Sequence, residues 1–150
     1  MTTIPVLISI RSKAHREDVP DDETMTMLTS GQMELDEEKA VIRYEETLDE
    51  SLPAQSVEVD VEDDCVTMIR GGAYETQMVF RMGSRYEGQY HTPVGDMELA
   101  IYCTHLDYEV DEQGGMVTLS YQLDLNGQFA AVHELELRLL SQGHEDEPDD

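Results

Sequence analysis

The chain of 150 residues has no tryptophan, only two phenylalanines and only two cysteines. Cys65 and Cys103 lie far apart, and one such pair does not make the disulfide framework of a small secreted domain. Both thiols are expected to be reduced and the protein cytoplasmic. Positive charge is scarce as well: nine Lys and Arg face 34 Asp and Glu, a formal net charge of −25. Lys13 and Lys39 are the only lysines. Such a field repels phosphate backbones and anionic lipid, so neither nucleic acid nor a membrane surface is an expected partner. It leaves room for a basic protein partner, a cationic ligand or a divalent metal, and its plainest consequence is solubility. No apolar run approaches the roughly 18 residues of a membrane span. The opening Met1-Thr2-Thr3-Ile4-Pro5 lacks the basic start of a signal peptide.

Catalytic and metal signatures are missing too. There is no G-x-S-x-G elbow, no Walker loop and no dinucleotide glycine fingerprint. His91, His105, His133, Cys65 and Cys103 show no C-x-x-C or H-x-x-x-H spacing. Cys103 and His105 share parity on one strand, but two ligands do not make a site. The acid run Asp60, Glu62, Asp63, Asp64 lacks the glycine and closing Glu of an EF-hand loop. No catalytic residue, metal site or cofactor is therefore assigned. With 34 acids, carboxylate pairs arise by chance and identify nothing.

What is present is a two-residue rhythm. Met97, Leu99, Ile101 and Cys103 alternate with Glu98, Ala100, Tyr102 and Thr104. The pattern returns at Val117, Leu119, Tyr121, Leu123 and Leu125, and at Leu135, Leu137 and Leu139. Side chains on a strand face opposite sides in turn, so these runs bury one face and leave the other wet. Strands are expected at Val6–Lys13, Glu23–Met33, Ala40–Glu46, Gln55–Val61, Cys65–Arg70, Tyr74–Met82, Arg85–His91, Met97–Thr104, Leu106–Asp111, Met116–Leu125 and Gln128–Leu140. Asn126-Gly127 is the strongest hairpin signal, because both central residues must tolerate positive φ. Gly71-Gly72, Gly83-Ser84 and Gly114-Gly115 look like similar turns. Thr92-Pro93-Val94-Gly95 reads as a rigid turn, or as a loop at the mouth of a site. Ala14–Asp22 is expected as a charged loop or brief helical turn.

The expected fold is all-β: one antiparallel meander barrel of about ten strands, since closure removes exposed edges. The barrel domain spans residues 1–140, and an acidic disordered tail spans 141–150. Nine methionines supply much of the apolar volume, as gap-fillers in the core or as an adaptable pocket wall.

Several motifs, in order, resemble a known family: Tyr44-Glu45-Glu46, Ile69-Arg70-Gly71-Gly72, Met78-Val79-Phe80-Arg81-Met82-Gly83, Tyr90-His91-Thr92-Pro93-Val94-Gly95 and Thr118-Leu119-Ser120-Tyr121-Gln122-Leu123. Together they resemble the YwiB-like family of small uncharacterised bacterial proteins, over about Val6 to Leu140. The resemblance implies a calycin-like, lipocalin-related β-barrel and carries over no catalytic residue. Two departures are Val94, where an aromatic is common in the family, and the unusual acidity.

Arg70 shares the face of Val66 and Met68 and is expected inside, where a guanidinium needs carboxylate or carbonyl partners. Glu46, on the face of Ile42 and Tyr44, is its candidate partner. Arg70 then holds the anionic head of a ligand, closes one barrel end as a salt bridge with Glu46, or emerges at the strand end. Tyr44, Tyr121 and Tyr90, apolar rings with polar tips, suit either a pocket wall or the core. The candidate pocket is Arg70, Glu46, Tyr44, Tyr121, Tyr90 and Thr92. The leading functional expectation is a small-molecule binding module using the barrel interior. The alternative is a protein-interaction module acting through the acidic surface, and a hydrolase or isomerase built inside the barrel comes third.

Overall fold

Alternation of apolar and polar residues shapes most strands of the structure, a computed structural model that describes residues 2–16, 22–47, 51, 54–72 and 75–142. The strands are β1 (Thr2–His15), β2 (Glu23–Leu35), β3 (Lys39–Glu46), β4 (Gln55–Glu62), β5 (Cys65–Arg70), β6 (Glu75–Phe80), β7 (Arg85–Thr92), β8 (Gly95–Asp111), β9 (Gly114–Leu125) and β10 (Gln128–Ser141). Each pairs antiparallel with the next, and β10 pairs with β1, so ten strands close into a meander barrel. No helix of the described residues is long and apolar enough to cross a membrane.

Closure sets the core. One residue in two points inward, and Val6, Ile8, Met33, Ile42, Val59, Val66, Phe80, Ile101, Leu119 and Leu137 are almost wholly buried there. The outer positions of the same strands carry most of the charge, as in the Arg43 ion pairs with Glu34 (3.1 Å) and Glu58 (3.2 Å).

Four local expectations are corrected. The two strands expected at Met97–Thr104 and Leu106–Asp111 are one strand, β8. Its register to β9 shifts between Cys103 and His105, leaving Thr104 as the extra residue of a bulge. The bulge resets parity: Cys103 and Leu106 are buried while His105 is exposed, so Cys103 and His105 do not share a face. Ala14 and His15 belong to β1, which pairs with β2 as far as Ala14–Glu23; residues 17–21 lie outside the described residues. Gly114-Gly115 is not a turn. The turn is Glu112-Gln113, and the glycines open β9 with φ of 129° and 147°. A Cβ on Gly114 would stand 2.1 Å from the Leu139 carbonyl oxygen, and one on Gly115 would stand 2.0 Å from that of Glu109. Only glycine allows that approach. Ser141 completes β10 and the Gln142 N–H donates to the Pro5 carbonyl (2.9 Å), so the expected tail does not begin at 141; residues 143–150 lie outside the described residues.

The Asn126-Gly127 turn forms as expected, with φ of 52° and 79°. Asn126 also ties the turn to β8: its N–H donates to the Glu98 carbonyl (2.8 Å), and its Oδ1 accepts from the Glu98 N–H (2.9 Å).

Candidate functional site

Inward-facing side chains fill only one half of the barrel. At the end where β1, β3, β5, β7 and β9 finish, they leave a cavity of about 290 Å³. Phe80 and Tyr121 meet beneath it, with ring centroids 4.8 Å apart and planes at 54°. β6 and β9 are not neighbours in the sheet, so these two rings meet across the interior, and Tyr121 lines the cavity. His133, directly opposite Tyr121 on β10, stacks on the phenol ring at 5.1 Å with planes only 4° apart. The wall is otherwise largely aliphatic and thioether, including Met27, Met68, Met78, Leu99 and Leu135.

The polar feature of the cavity is Arg70 with Glu46. Arg70 ends β5 and Glu46 ends β3, with β4 between them. Arg70 stands opposite Val57 of β4 and Glu46 opposite Gln55, so the long guanidinium arm crosses β4 to reach the carboxylate. Nε donates to Glu46 Oε2 at 2.7 Å. The Glu46 side chain is 7% exposed and that of Arg70 is 25% exposed. Burial works against the Arg70 charge, but the Glu46 carboxylate outweighs it and holds the pKa above the ordinary guanidinium value.

The phenols respond to the same surroundings. Burial pushes Tyr44 up to about 12, with Arg70 pulling against it and Glu46 adding to it. Burial pushes Tyr121 to about 12 as well, and Arg70 again opposes. His133 is shifted down, first by burial and then by the charges of Arg16 and Arg70, against a smaller pull from Glu23. At neutral pH the Tyr44 and Tyr121 phenols and the His133 imidazole are thus neutral, beside the Arg70–Glu46 pair.

Five of the six residues expected at a pocket line this cavity: Arg70, Glu46, Tyr44, Tyr121 and Tyr90. Thr92 does not. Its hydroxyl donates to the Gly95 carbonyl (2.7 Å) and accepts from the Val94 N–H (3.2 Å), so it holds the β7–β8 turn together. His133, weighed from sequence only as a metal ligand, and Thr76 and Ser12, not singled out, also line the cavity. The signal for His133 was present: it shares parity with Leu135, Leu137 and Leu139. Thr76 likewise shares parity with Met78 and Phe80, and its hydroxyl donates to the Gln89 carbonyl at 3.3 Å. Among the described residues no three His, Cys, Asp or Glu side chains gather as metal ligands would.

The family described as "Domain of unknown function (DUF1934)" matches residues 8–137, all ten strands in whole or part. The chain belongs to the DUF1934 family. A relative is the uncharacterized beta-barrel protein YwiB of Bacillus subtilis (strain 168), 23% identical over 128 residues, covering 85% of this chain and 89% of that protein. The crystal structure of ywiB from Bacillus subtilis superposes with a TM-score of 0.82 at 21% identity, covering 93% of each chain. The DUF1934 barrel is therefore the shared property. At that identity the likeness establishes the fold alone.

Proposed function

We propose that this protein is a small-molecule binding module that takes its ligand into the hollow end of the barrel. The observation that carries the reading is the cavity of about 290 Å³ with a charged pair in its wall. Protein interiors are close-packed, and voids larger than a water molecule are few. A purely structural barrel would fill that end with side chains, as the opposite end is filled by Val66, Phe80, Ile101 and Leu137. Eight-stranded barrels already hold one small ligand, and ten strands give a wider interior. An apolar wall with a few convergent polar groups is the usual make-up of a ligand site.

A thermal-shift screen of small metabolites tests the reading, run on the native chain and on Leu123→Trp. Leu123 lines the cavity, and the indole fills it. A binder should raise the Tm of the native protein and leave the folded Trp variant unmoved. Equal shifts in both proteins, or none in the native protein, would contradict cavity binding.

The net charge of −25 also favours a basic protein docked on the exterior. Such a complex would dissociate as salt rises. An apolar ligand inside the barrel would stay bound.

A further inference from the structure

We infer that the ligand is a compact monocarboxylate, its head on the Nη groups of Arg70 and its apolar body along Met68, Met78, Leu99 and Leu135. This rests on the cavity-binding reading above and adds the chemistry of what is bound.

The geometry of the charged pair makes the case. Glu46 engages Arg70 through Nε, at 2.7 Å, and is its one carboxylate partner among the described residues. The guanidinium fork matches a carboxylate bidentately, and the Glu46 contact at Nε is not that bidentate pairing. Accessibility divides the two partners in the same sense. Glu46 is nearly sealed off at 7% exposure, while Arg70 keeps 25% of its side chain accessible and lines the cavity. Glu46 is a fixed counter-ion, and Arg70 is the group a ligand reaches.

Charge limits the head further. Among the described residues Arg70 is the one Lys or Arg lining the cavity; of the two carboxylates there, Glu46 is paired with it and Glu134 is exposed. One further negative charge can be matched there; a phosphate dianion would be left largely uncompensated. Tyr44 and Tyr121 add neutral hydroxyls to the same wall. The charges felt around the cavity agree. At His133 the cations Arg16 and Arg70 outweigh Glu23, and at Tyr121 the acting charge is Arg70. A cationic ligand, which a chain of net charge −25 would attract, meets the Arg70 guanidinium inside.

Volume sets the size. An apolar cavity of about 150 Å³ takes benzene. A cavity of about 290 Å³ therefore suits roughly ten to twelve heavy atoms.

Hydrocinnamate and hydrocinnamamide match that size and differ in charge alone, which makes them the probes. Calorimetric titration of the full chain should show the carboxylate binding about tenfold to a hundredfold more tightly than the amide, the range of one charge-assisted contact. In the doubly neutral variant Glu46→Gln/Arg70→Gln that preference should vanish while amide binding persists. A readout on the native chain covers the case of an unfolded variant: the Arg70 guanidinium NMR resonances should shift with the carboxylate and not with the amide. Equal binding of both probes, or tighter amide binding, would overturn the carboxylate assignment and leave the binding cavity standing. A carboxylate preference that survives the double substitution, or unmoved Arg70 resonances, would overturn Arg70 as the anchor. Failure of both probes to bind at millimolar concentration would overturn the proposal together with the cavity-binding reading.

Discussion

Arg70 Nε lies 2.7 Å from Glu46 Oε2, and the two residues stand on strands separated by a third. The pair is thus a tertiary cross-link over β4, at the end of the barrel that is hollow. Breaking such a pair from one side leaves a buried charge without a partner. Arg70→Met should destabilise the protein by about 3 kcal/mol at neutral pH, because the nearly buried Glu46 is then uncompensated. The double variant Arg70→Met/Glu46→Leu should recover most of that loss. Urea unfolding of the three proteins measures both effects; a double variant as unstable as the single one would contradict the account.

On the outer face of β4, Asp60 is held near pKa 6, above its ordinary value of 3.8, first by burial and then by the neighbouring Glu58 carboxylate. A carboxyl whose folded pKa is raised binds its proton more tightly when folded, so the folded state gains stability as pH falls from about 6 towards 4. Asp60→Asn should remove that slope and stabilise the protein at pH 7 by on the order of 1 kcal/mol, allowing for solvent screening of a partly exposed group. Chemical denaturation of both proteins across pH 4–7 checks it. Parallel stability curves would rule out Asp60 as the source.

Glycines at the barrel ends should differ sharply in their tolerance of a methyl group. At Gly115 a Cβ would meet the Glu109 carbonyl oxygen at 2.0 Å, whereas at Gly83 it would meet nothing within 4 Å. Both have positive φ, so both substitutions carry some backbone strain. Gly83→Ala should cost about 1 kcal/mol, and Gly115→Ala several kcal/mol or the fold itself. Thermal unfolding separates the two, and equal losses would deny the close approach of β9 to β8.

Asn126 serves the turn twice, through its positive φ and through its side-chain acceptor for the Glu98 N–H. Asn126→Gly keeps the first and loses the second, while Asn126→Ala loses both. The glycine variant should lose about 1 kcal/mol and the alanine variant about 2 kcal/mol. Equal losses in denaturant midpoints would show that the hydrogen bond, which both variants lack, and not the backbone conformation, dominates.

The fold was largely legible because alternation determines which face each strand buries, and the Asn126-Gly127 turn fixes the register of β9 and β10. Parity also placed Arg70, Glu46, Tyr44 and Tyr121 inside. It failed where the backbone departs from a regular two-residue repeat. The bulge at Thr104 inverted the faces beyond it and made one strand look like two. The Gly114-Gly115 pair looked like a turn because sequence does not distinguish a glycine needed for φ from one needed for close approach. Thr92 looked like a pocket residue because a β-turn hydroxyl and a ligand-binding hydroxyl are the same residue type. A pocket in the barrel interior was expected, but its size and its place at one end were not legible. Both depend on how Phe80 and Tyr121 meet across the barrel, a contact between strands that are not neighbours.

Native mass spectrometry of the protein purified gently from its own source tests the central claim most directly. The account expects a second species, heavier than the bare chain by the mass of one small acid and absent from the folded Leu123→Trp variant. A single bare mass for the native protein, with no small ligand restoring the heavier species on addition, would contradict a binding function for the hollow end of the barrel.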